Sequence, residues 1–260
     1  MSDTASHRPV EGRFEGKVAL LTGAASGIGR ATAVRLAAEG AAILALDVDA
    51  DGLGALVEEL AATGATVVGR RGSITERDEC FAAVAQCIEE LGGLDVLGNI
   101  AGISRADHFA EVSETDYRRM FAVNVDGPFF LCQAALPHLQ ERRGNIVNIA
   151  SNAGLMGTAY TVAYSMTKGA IVQLTKSLAM ETAKTKVRVN AIAPGGIVSS
   201  LTGGFHIPEG VDLDLMQPYM GFRGMGAPEE IAGLFAFVAS DDGRNMHGSI
   251  LSSDLGLTAS

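Results

Sequence analysis

Cysteines and cationic side chains are scarce in this chain of 260 residues. The three cysteines form no C-x-x-C pair and have no histidine at metal-ligand spacing, so we expect reduced structural thiols and no metal at Cys80, Cys87 and Cys132. Lysine and arginine total 20 against 30 acidic residues, which gives a net charge of −10. This acidic balance argues against binding to nucleic acids or to anionic membranes.

Long apolar runs are also missing. No uninterrupted apolar stretch approaches the roughly 20 residues that a membrane-spanning helix needs. Residues 1–12 are polar and lack the apolar segment of a secretory signal, so we interpret them as a mobile N-terminal extension. Together these features favour a cytoplasmic protein that does not contact membranes.

What the chain does contain is an apolar fraction of 47%, enough for a large core. Strand patterns alternate with helical patterns to the end of the sequence, and no repeat or linker divides them. This alternation is typical of an α/β domain built on a parallel sheet. We therefore predict a single domain over residues 13–260.

The segment KVALLTGAASGIGRATAVRLAAEGAAILALD has the pattern of a strand, a glycine-rich turn, a helix and a second strand. Glycines in such a turn let the backbone approach a pyrophosphate, whose charge is met by the N–H groups at the start of the helix. An ordinary glycine-rich turn is the alternative, but the flanking strands and the acid after the second strand favour a dinucleotide site. The residues assigned to it are Gly23, Ser26, Gly27, Ile28 and Gly29.

Asp47 ends the second strand and indicates which dinucleotide binds. A carboxylate there can accept hydrogen bonds from a ribose hydroxyl, and it would repel a 2′-phosphate. Val48 follows, and no arginine or lysine lies in this stretch. We therefore predict NAD as the cofactor, with Asp47 and Val48 in contact with it. The alternative is a solvated carboxylate at the end of a strand.

A second cluster lies in SNAGLMGTAYTVAYSMTK, where Lys168 follows Tyr164 by four residues. Positions i and i+4 share one face of a helix, so the ammonium is expected beside the phenol. A cation about 4 Å away contributes about 4 kcal/mol at an effective dielectric near 20. That is enough to lower the pKa of the phenol by about 3, toward neutrality. Tyr164 is therefore a candidate general acid and base.

Taken in order, Thr22-Gly-Ala-Ala-Ser-Gly-Ile-Gly29, Asp47, Asn99-Ile-Ala-Gly102, Asn124, Ser151, Tyr164-x-x-x-Lys168 and Pro194-Gly195 resemble the motifs of the short-chain dehydrogenase/reductase family. The resemblance runs from about Gly16 to Ser253. It implies a Rossmann-type, doubly wound sheet of seven parallel strands with helices on both faces, and commonly a homotetramer.

The same resemblance implies a catalytic tetrad of Asn124, Ser151, Tyr164 and Lys168. Tyr164 would transfer the proton, Ser151 would hydrogen-bond the substrate oxygen, Lys168 would hold the nicotinamide ribose, and Asn124 would position a water in a proton relay. A structural amide is the alternative for Asn124. The resemblance extends the predicted cofactor contacts, besides Tyr164 and Lys168, to Ser73, Ile74, Asn99, Ala101, Gly102, Pro194, Gly195, Ile197 and Ser199.

Two of these positions depart from the family pattern. Ser73 stands where an aspartate usually binds adenine, and its hydroxyl can still accept a hydrogen bond from the amino group. Ser199 replaces the usual threonine and keeps a hydroxyl for the nicotinamide amide. Ile100 also replaces a polar residue near the cofactor.

The stretch at about 199–227 is rich in glycine and irregular, as expected for a mobile substrate flap. Its apolar residues either line a pocket, with Leu155 and Met156 added to the wall, or pack on the body of the domain. The apolar residues are Leu201, Phe205, Ile207, Leu213, Leu215, Met216, Tyr219, Met220 and Phe222. The acidic residues of the flap make anionic substrates unattractive, and His206 is the histidine best placed to meet a substrate.

The predicted helix at 158–183 has more apolar residues around its circumference than one core contact needs, including Ile171, Val172, Leu174 and Leu178. We therefore expect a homo-oligomer, a dimer or a tetramer, that packs on this helix.

These features favour an NAD-dependent oxidoreductase that interconverts a neutral, largely apolar secondary alcohol, steroid-like or alicyclic, and its ketone. One alternative is a 3-oxoacyl thioester reductase, for which we find neither a basic docking patch nor an NADPH pocket. The other is a non-catalytic, dinucleotide-sensing protein, against which the intact tetrad argues.

Overall fold

A computed structural model describes residues 8–198, 207–216 and 223–259. Its strands form one parallel sheet. They are β1 (Val18–Thr22), β2 (Ala42–Asp47), β3 (Val67–Arg71), β4 (Val96–Asn99), β5 (Asn145–Ile149), β6 (Arg188–Pro194) and β7 (Ile250–Ser253). The central strands β1, β4 and β5 are buried at every position, so their sequences show no alternation of apolar and polar residues, and the asparagines on β4 and β5 are buried with the rest.

The strands lie in the order β3-β2-β1-β4-β5-β6-β7. The chain therefore winds outward in one direction from β1 to β3, crosses back to β4, and then winds outward in the other direction. Between β1 and β4 the loops at the carboxyl ends diverge and leave a crevice, which is where open α/β sheets bind their ligands. The predicted fold class is confirmed.

Helices cover both faces of this sheet. They are α1 (Gly27–Ala38), α2 (Ala50–Ala62), α3 (Arg77–Leu91), α4 (Glu114–Phe121), α5 (Gly127–Arg142), α6 (Val162–Thr182), the single turn α7 (Leu213–Met216) and α8 (Pro228–Ala239). A π-helical turn at Ala122–Asp126 joins α4 to α5. None of the helices in the described ranges has the length and hydropathy that a bilayer crossing needs.

Two main apolar cores lie on opposite faces of the sheet. One packs α1, α2 and α8 on the sheet, with Leu36, Leu56 and Phe235 among its buried residues. The other packs α3, α5 and α6 on the opposite face, and it contains the three cysteines. They are buried free thiols, and burial raises the pKa of Cys80 to about 11 and those of Cys87 and Cys132 to about 12. Such thiols serve packing rather than reaction.

The chain before β1 is attached to the body at Glu39, a fully buried carboxylate. The backbone N–H of Val10 donates to Glu39 Oε1 at 3.0 Å, and Arg13 pairs with Oε2 at 3.3 Å. Phe14 is buried in the first core. The end of the predicted N-terminal extension, from Val10 onward, is therefore hydrogen-bonded to the domain, and residues 1–7 lie outside the described part.

The long helix α6 differs from the prediction in two respects. It begins at Val162 and not at residue 158, because Thr158, Thr161 and Ser165 form a hydroxyl network in the preceding loop. Ile171 and Val172, which we expected at a subunit contact, are buried in the chain's own core. The surplus of apolar residues on this helix is thus largely used within the domain.

Candidate active site

Two adjoining cavities open at the carboxyl ends of the strands, and Ile28, Ile100 and Gly102 line both of them. The outer groove, of about 470 Å³, is lined by the glycine-rich turn, the end of β2, the loop after β3 and part of α4. The inner cavity, of about 280 Å³, is lined by the loops after β4, β5 and β6 and by the start of α6. Together they form a continuous site beside the crevice between β1 and β4.

The glycine-rich turn forms one wall of the outer groove, through Gly23, Ser26, Gly27, Ile28 and Gly29. The turn passes so close to α1 that a Cβ on Gly29 would lie 1.9 Å from the carbonyl oxygen of Gly23. The first turn of α1 contains no acidic residue, so its N–H groups present unopposed positive charge. This wall suits a bound anion.

Asp47 lies at the end of β2, half-buried in the outer groove, and its carboxylate is held in place by the backbone. Oδ2 accepts from the N–H of Ala25 at 2.9 Å, and Oδ1 accepts from the N–H of Asp49 at 3.0 Å. Each oxygen retains a further acceptor site for a ligand hydroxyl. Val48 lies beside it with its side chain largely exposed.

Ser73 and Ile74 line the groove where the chain leaves β3. The Ser73 hydroxyl is 3.0 Å from that of Thr75 and accepts from the Thr75 N–H at 3.3 Å. Ile74 is buried, and it packs so closely against Gly127 that a Cβ on Gly127 would lie 2.7 Å from Ile74 Cδ1. The groove therefore has a hydroxyl and an apolar surface at this end.

Asn99 differs from its predicted place. Its side chain is buried between β4 and β5, where Nδ2 donates to Asn148 Oδ1 at 2.8 Å and to Cys132 Sγ at 3.3 Å. It lines neither cavity. Asn99 thus links β4 to β5 on the face of the sheet that α5 covers, because its side chain is directed to Asn148 and Cys132 and not into the groove. Its neighbours Ala101 and Gly102 do line the groove.

Asn124 lies in the π-helical turn, and its side-chain amide forms three hydrogen bonds. Its Oδ1 accepts from the Ile103 N–H at 2.9 Å, and its Nδ2 donates to the Ile103 carbonyl at 2.8 Å and to Thr167 Oγ1 at 3.0 Å. The amide therefore links the loop after β4 to α6. This network fits the structural alternative, and it leaves one acceptor site on Oδ1.

Ser151 follows β5 and is buried at the wall of the inner cavity. Its hydroxyl donates to Asn152 Oδ1 at 3.0 Å and accepts from the Ala153 N–H at 3.1 Å. It lies close enough to Tyr164 to lower the pKa of the phenol. Ser151 and Tyr164 are thus brought together from two elements that lie thirteen residues apart in the sequence.

Lys168 lies one turn after Tyr164 on α6, with Nζ 5.8 Å from the centroid of the phenol ring. The amine is buried and donates to the Ile149 carbonyl at 2.8 Å. It forms no ion pair with any residue in the described ranges, and burial lowers its pKa to about 8. The ammonium is therefore held by a neutral carbonyl in an apolar setting.

The pKa of Tyr164 contradicts our expectation in this state of the protein. Burial raises the pKa of the phenol above its usual value, and the hydrogen bond with Ser151 lowers it only in part. Desolvation outweighs the attraction of Lys168 because the amine is not hydrogen-bonded to the phenol and is itself easily deprotonated. Without a bound ligand, Tyr164 is protonated at neutral pH.

The parts of the tetrad converge around Gly102. A Cβ on this residue would lie 3.3 Å from Asn124 Oδ1 and 3.4 Å from Lys168 Nζ. Only a glycine leaves this space open, so the junction of the two cavities is accessible to both polar groups. Pro194, Gly195 and Ile197 form the opposite wall of the inner cavity. Ser199 and His206 lie outside the described residues.

The described part of the predicted flap does not line the inner cavity. Of its apolar residues, Ile207, Leu213 and Leu215 are exposed and Met216 is buried. Leu155 and Met156 also do not line it. Of the two alternatives, lining of the pocket is therefore not seen for the described residues, because hydrophobicity alone does not fix the direction in which a loop side chain points. Leu201, Phe205, Tyr219, Met220 and Phe222 lie outside the described residues.

Two side chains fasten the segment 207–216 to the loops around the site. The hydroxyl of Tyr160 accepts from the Asp212 N–H at 2.8 Å, and His108 Nε2 is 2.8 Å from the Glu209 carbonyl oxygen. The two rings meet edge to face at 5.3 Å. Tyr160 adopts a left-handed conformation, with φ at 63°, that directs its ring to this contact. We call this arrangement the Tyr160–His108 latch.

Sequence reasoning missed several polar residues that line the site. Arg119 lines the outer groove, and Ser104, Asn152, Thr158 and Thr161 line the inner cavity. Asn152 could have been found, because a polar residue directly after a candidate catalytic serine lies in the same turn. Ser104 could have been found in the same way, because it lies two residues after Gly102, but Arg119 carries no such signal, since only the fold brings it to the site.

The donors and acceptors of the outer groove match a dinucleotide: N–H groups for a pyrophosphate, a fixed carboxylate for ribose hydroxyls, and a hydroxyl beside an apolar wall for a base. The inner cavity then places a phenol, a serine hydroxyl and an amine next to one end of that ligand. Such an arrangement can move a proton to or from an oxygen on a substrate carbon.

Comparison with known proteins agrees with this geometry. The family model described as short chain dehydrogenase matches residues 17–207. The chain is 36% identical over 246 residues to the 3-oxoacyl-[acyl-carrier-protein] reductase of Thermotoga maritima, covering 94% of this chain and 99% of that protein. It is 34% identical over 248 residues to the meso-2,3-butanediol dehydrogenase of Serratia marcescens, covering 95% and 97%.

Solved structures show the same fold. A short chain dehydrogenase from Mycobacterium paratuberculosis bound to NAD superposes with a TM-score of 0.89 at 28% identity, covering 96% of this chain and all of that one. A short chain dehydrogenase from Burkholderia cenocepacia in complex with NADP gives 0.86 at 31% identity, covering 94% and 99%. With these matches spanning nearly its whole length, the chain belongs to the short-chain dehydrogenase/reductase family, oxidoreductases that use a nicotinamide dinucleotide to act on hydroxyl or keto groups.

Proposed function

We propose that this protein is an NAD-dependent dehydrogenase that oxidises a neutral, largely apolar secondary alcohol, steroid-like or alicyclic, to its ketone and can catalyse the reverse reaction. The observation that carries the proposal is that Ser151, Tyr164 and Lys168 line one cavity that continues the outer groove, with Lys168 Nζ 5.8 Å from the centroid of the phenol ring.

The cofactor would lie along the outer groove, held by residues from several loops. The N–H groups at the start of α1 would bind the pyrophosphate, and Asp47 would accept hydrogen bonds from the adenosine ribose. Ser73 and Ile74 would flank the adenine. Gly102, Pro194, Gly195 and Ile197 would enclose the nicotinamide end, where Lys168 would donate to the second ribose.

NAD is favoured over NADP because Asp47 repels a 2′-phosphate and both of its oxygens are fixed by the backbone. Arg119 is the one cation among the residues found to line the outer groove, and it lies on α4, across the groove from β2. It would interact favourably with either the pyrophosphate or a 2′-phosphate, so Asp47 decides the preference.

The chemistry needs a proton acceptor, and Tyr164 is placed to serve. A bound NAD would supply the hydride acceptor. Tyr164 would remove the hydroxyl proton, and Ser151 would hydrogen-bond the same oxygen. Lys168 would stabilise the phenolate, and Asn124 links the loop after β4 to α6 through Ile103 and Thr167. The acceptor site left on Asn124 Oδ1 suits the predicted water relay.

The walls of the inner cavity support a neutral substrate. Ile149, Ala150, Ala153 and Ile197 are apolar, and the one charged residue found to line it, Lys168, already donates to the Ile149 carbonyl. The acidic residues of the flap also disfavour a carboxylate or phosphate. The relative named for meso-2,3-butanediol supports a neutral alcohol as substrate.

A second candidate is reduction of a 3-oxoacyl thioester with NADPH, which the similarity to the Thermotoga maritima reductase favours. Against it stand the Asp47 carboxylate and the net charge of −10, since an acidic carrier protein needs a basic docking surface. A non-catalytic sensor is disfavoured because all four tetrad residues are present.

The experiment is an absorbance assay of purified protein with NAD and with NADP against steroid, alicyclic and sugar alcohols, and with NADPH against a 3-oxoacyl thioester. We expect reduction of NAD by an apolar secondary alcohol and little use of NADP. Turnover confined to small sugars, or to the thioester with NADPH, would overturn the proposal.

A further inference from the structure

Asn152 has an amide group that the proposed chemistry does not use. The residue follows Ser151 and begins a short 3-10 turn at Asn152–Gly154. It is only 8% exposed, and it lines the inner cavity. A buried polar side chain on an otherwise apolar wall calls for an explanation.

The orientation of this amide is fixed by its neighbours. Its Oδ1 accepts from the Ala153 N–H at 2.9 Å and from the Ser151 hydroxyl at 3.0 Å. A backbone N–H can only donate, so the atom that faces it must be the oxygen and not the nitrogen. The amide nitrogen Nδ2 is thereby directed away from the turn.

Nδ2 makes no hydrogen bond to any residue in the described ranges. It is also not enclosed by protein, since it is absent from the buried atoms without a partner in that part of the chain. The two N–H donors are therefore open to the cavity that Asn152 lines.

Several other polar groups of the wall already have hydrogen-bond partners. Thr158 and Thr161 hydrogen-bond each other at 2.6 Å, and Thr158 also bonds Ser165 at 2.7 Å. Lys168 donates to the Ile149 carbonyl. The Ser104 hydroxyl also lines the cavity, on the loop after β4, whereas the Asn152 amide contacts Ser151 directly through Oδ1 at 3.0 Å.

We propose that Asn152 is a specificity-determining residue that donates from Nδ2 to a second oxygen of the substrate, and that the substrate is a neutral vicinal diol or the corresponding α-hydroxy ketone. We place the second oxygen on the carbon next to the reacting one because the amide that carries Nδ2 contacts the Ser151 hydroxyl through Oδ1 at 3.0 Å, and Ser151 would bind the reacting oxygen. A neutral oxygen is required because an amide offers no charge to compensate for burial of an anion.

This inference rests on the proposed function, which supplies the redox step. The diol loses a hydride from one carbinol carbon to NAD and the proton of that hydroxyl to Tyr164. The products are the α-hydroxy ketone, NADH and one proton. The second hydroxyl is unchanged and serves only as a hydrogen-bond acceptor for Asn152.

The test compares cis-cyclohexane-1,2-diol with cyclohexanol, which share the ring and differ by one hydroxyl group. For the natural sequence we expect kcat/KM with NAD to be about tenfold or more higher for the diol, as one well-placed hydrogen bond provides. In Asn152→Leu, which keeps the size of the side chain but removes its donor, the diol-to-cyclohexanol ratio of kcat/KM is expected to fall by about tenfold.

Asn152→Asp separates specificity from positioning of Ser151. It retains the oxygen that accepts from Ser151 and Ala153 but has no N–H to donate. The second oxygen of cis-2-methoxycyclohexanol can only accept a hydrogen bond. In Asn152→Asp we expect the ratio of kcat/KM for this substrate to that for cyclohexanol to fall about tenfold. Asn245→Leu, the same change at an exposed position that lines neither cavity, serves as the control and should keep the ratios of the natural sequence.

Three results would overturn the inference. Equal kcat/KM for diol and cyclohexanol in the natural sequence would remove the role of Asn152 while leaving the proposed function in place. Equal losses on both substrates in Asn152→Leu and Asn152→Asp would show that the residue only positions Ser151. If the protein binds NAD but oxidises none of the alcohols, the proposed function itself would be overturned.

Discussion

Lys168 shows how a single residue can be unfavourable for folding and required for chemistry. It is buried without an anionic partner among the described residues, and burial lowers its pKa from 10.5 to about 8. That difference corresponds to about 3 kcal/mol for holding the charge in the folded state at neutral pH. In the proposed mechanism this cost is offset because a cation beside Tyr164 would stabilise the phenolate when the phenol loses its proton.

We therefore expect Lys168→Met to be inactive but more stable than the natural sequence by about 1–3 kcal/mol at neutral pH. Between pH 8 and 10.5 the unfolded lysine binds a proton that the folded one has lost, so the stability of the natural sequence rises with pH over this range. Methionine does not titrate, and the advantage of the variant should shrink there. Urea unfolding at neutral pH and at about pH 10 measures both values. An advantage that stays constant with pH would contradict this account.

Asp47 carries the proposed choice between NAD and NADP. In Asp47→Asn the side chain keeps its shape but loses the charge that repels a 2′-phosphate. We expect the ratio of kcat/KM for NAD to that for NADP to fall about tenfold or more. Steady-state kinetics with both dinucleotides on one alcohol gives the ratio. An unchanged ratio would mean that Asp47 is only a solvated carboxylate at the end of a strand.

At the scale of elements, the latch connects the described part of the flap to the loop that precedes Tyr164. Tyr160→Phe removes the acceptor for the Asp212 N–H, which is worth about 1 kcal/mol. We expect amide hydrogen exchange in the segment 207–216 to increase about fivefold, and KM to rise more than kcat falls. Tyr117→Phe deletes a hydroxyl from an exposed tyrosine on α4 and is the matched control. Equal rates of amide hydrogen exchange in the two variants would show that the latch does not stabilise the segment 207–216.

How much the sequence predicts also differs between elements. The central strands and the glycine-rich turn are predictable, because buried parallel strands are short apolar runs and the turn requires glycine at Gly29. The start of α6 is not, because Thr158 and Thr161 stop the helix through side-chain hydrogen bonds that depend on their packing. The orientation of the Asn99 side chain is also unpredictable, because it depends on a hydrogen bond to Asn148 on the neighbouring strand.

Within the candidate site, the spacing of Tyr164 and Lys168 predicts their proximity but not the pKa of the phenol. Proximity follows from helical geometry, whereas the pKa depends on desolvation, which the sequence does not specify. Arg119 is unpredictable for a related reason. It comes to the site only through the packing of α4, which carries none of the predicted site residues.

At the scale of the whole molecule, we propose a homo-oligomer that packs on α6. Ile171 and Val172 are used within the chain, but Met166 and Met180 on the same helix are 50% and 77% exposed. Apolar side chains that remain exposed on a helix are candidates for a subunit contact. The mass of the particle in solution distinguishes a dimer from a tetramer.

Light scattering after size-exclusion chromatography is expected to give a multiple of 26.9 kDa for the natural sequence. Met166→Glu places a charge in the proposed contact and should shift the mass toward that of one chain. Asn245→Asp adds a negative charge at an exposed position outside α6 and serves as the control. A natural protein of one chain at micromolar concentration would contradict the oligomer.

The most direct test of the central claim is Tyr164→Phe, which removes one hydroxyl and leaves the rest of the inner cavity intact. We predict that kcat for alcohol oxidation falls by about 10²–10⁴-fold, as expected for loss of a general base. Calorimetric titration should give a Kd for NAD within about twofold of the natural value, because the outer groove is unchanged. Turnover that persists at the natural rate in this variant would contradict the account of Tyr164 as the group that moves the proton.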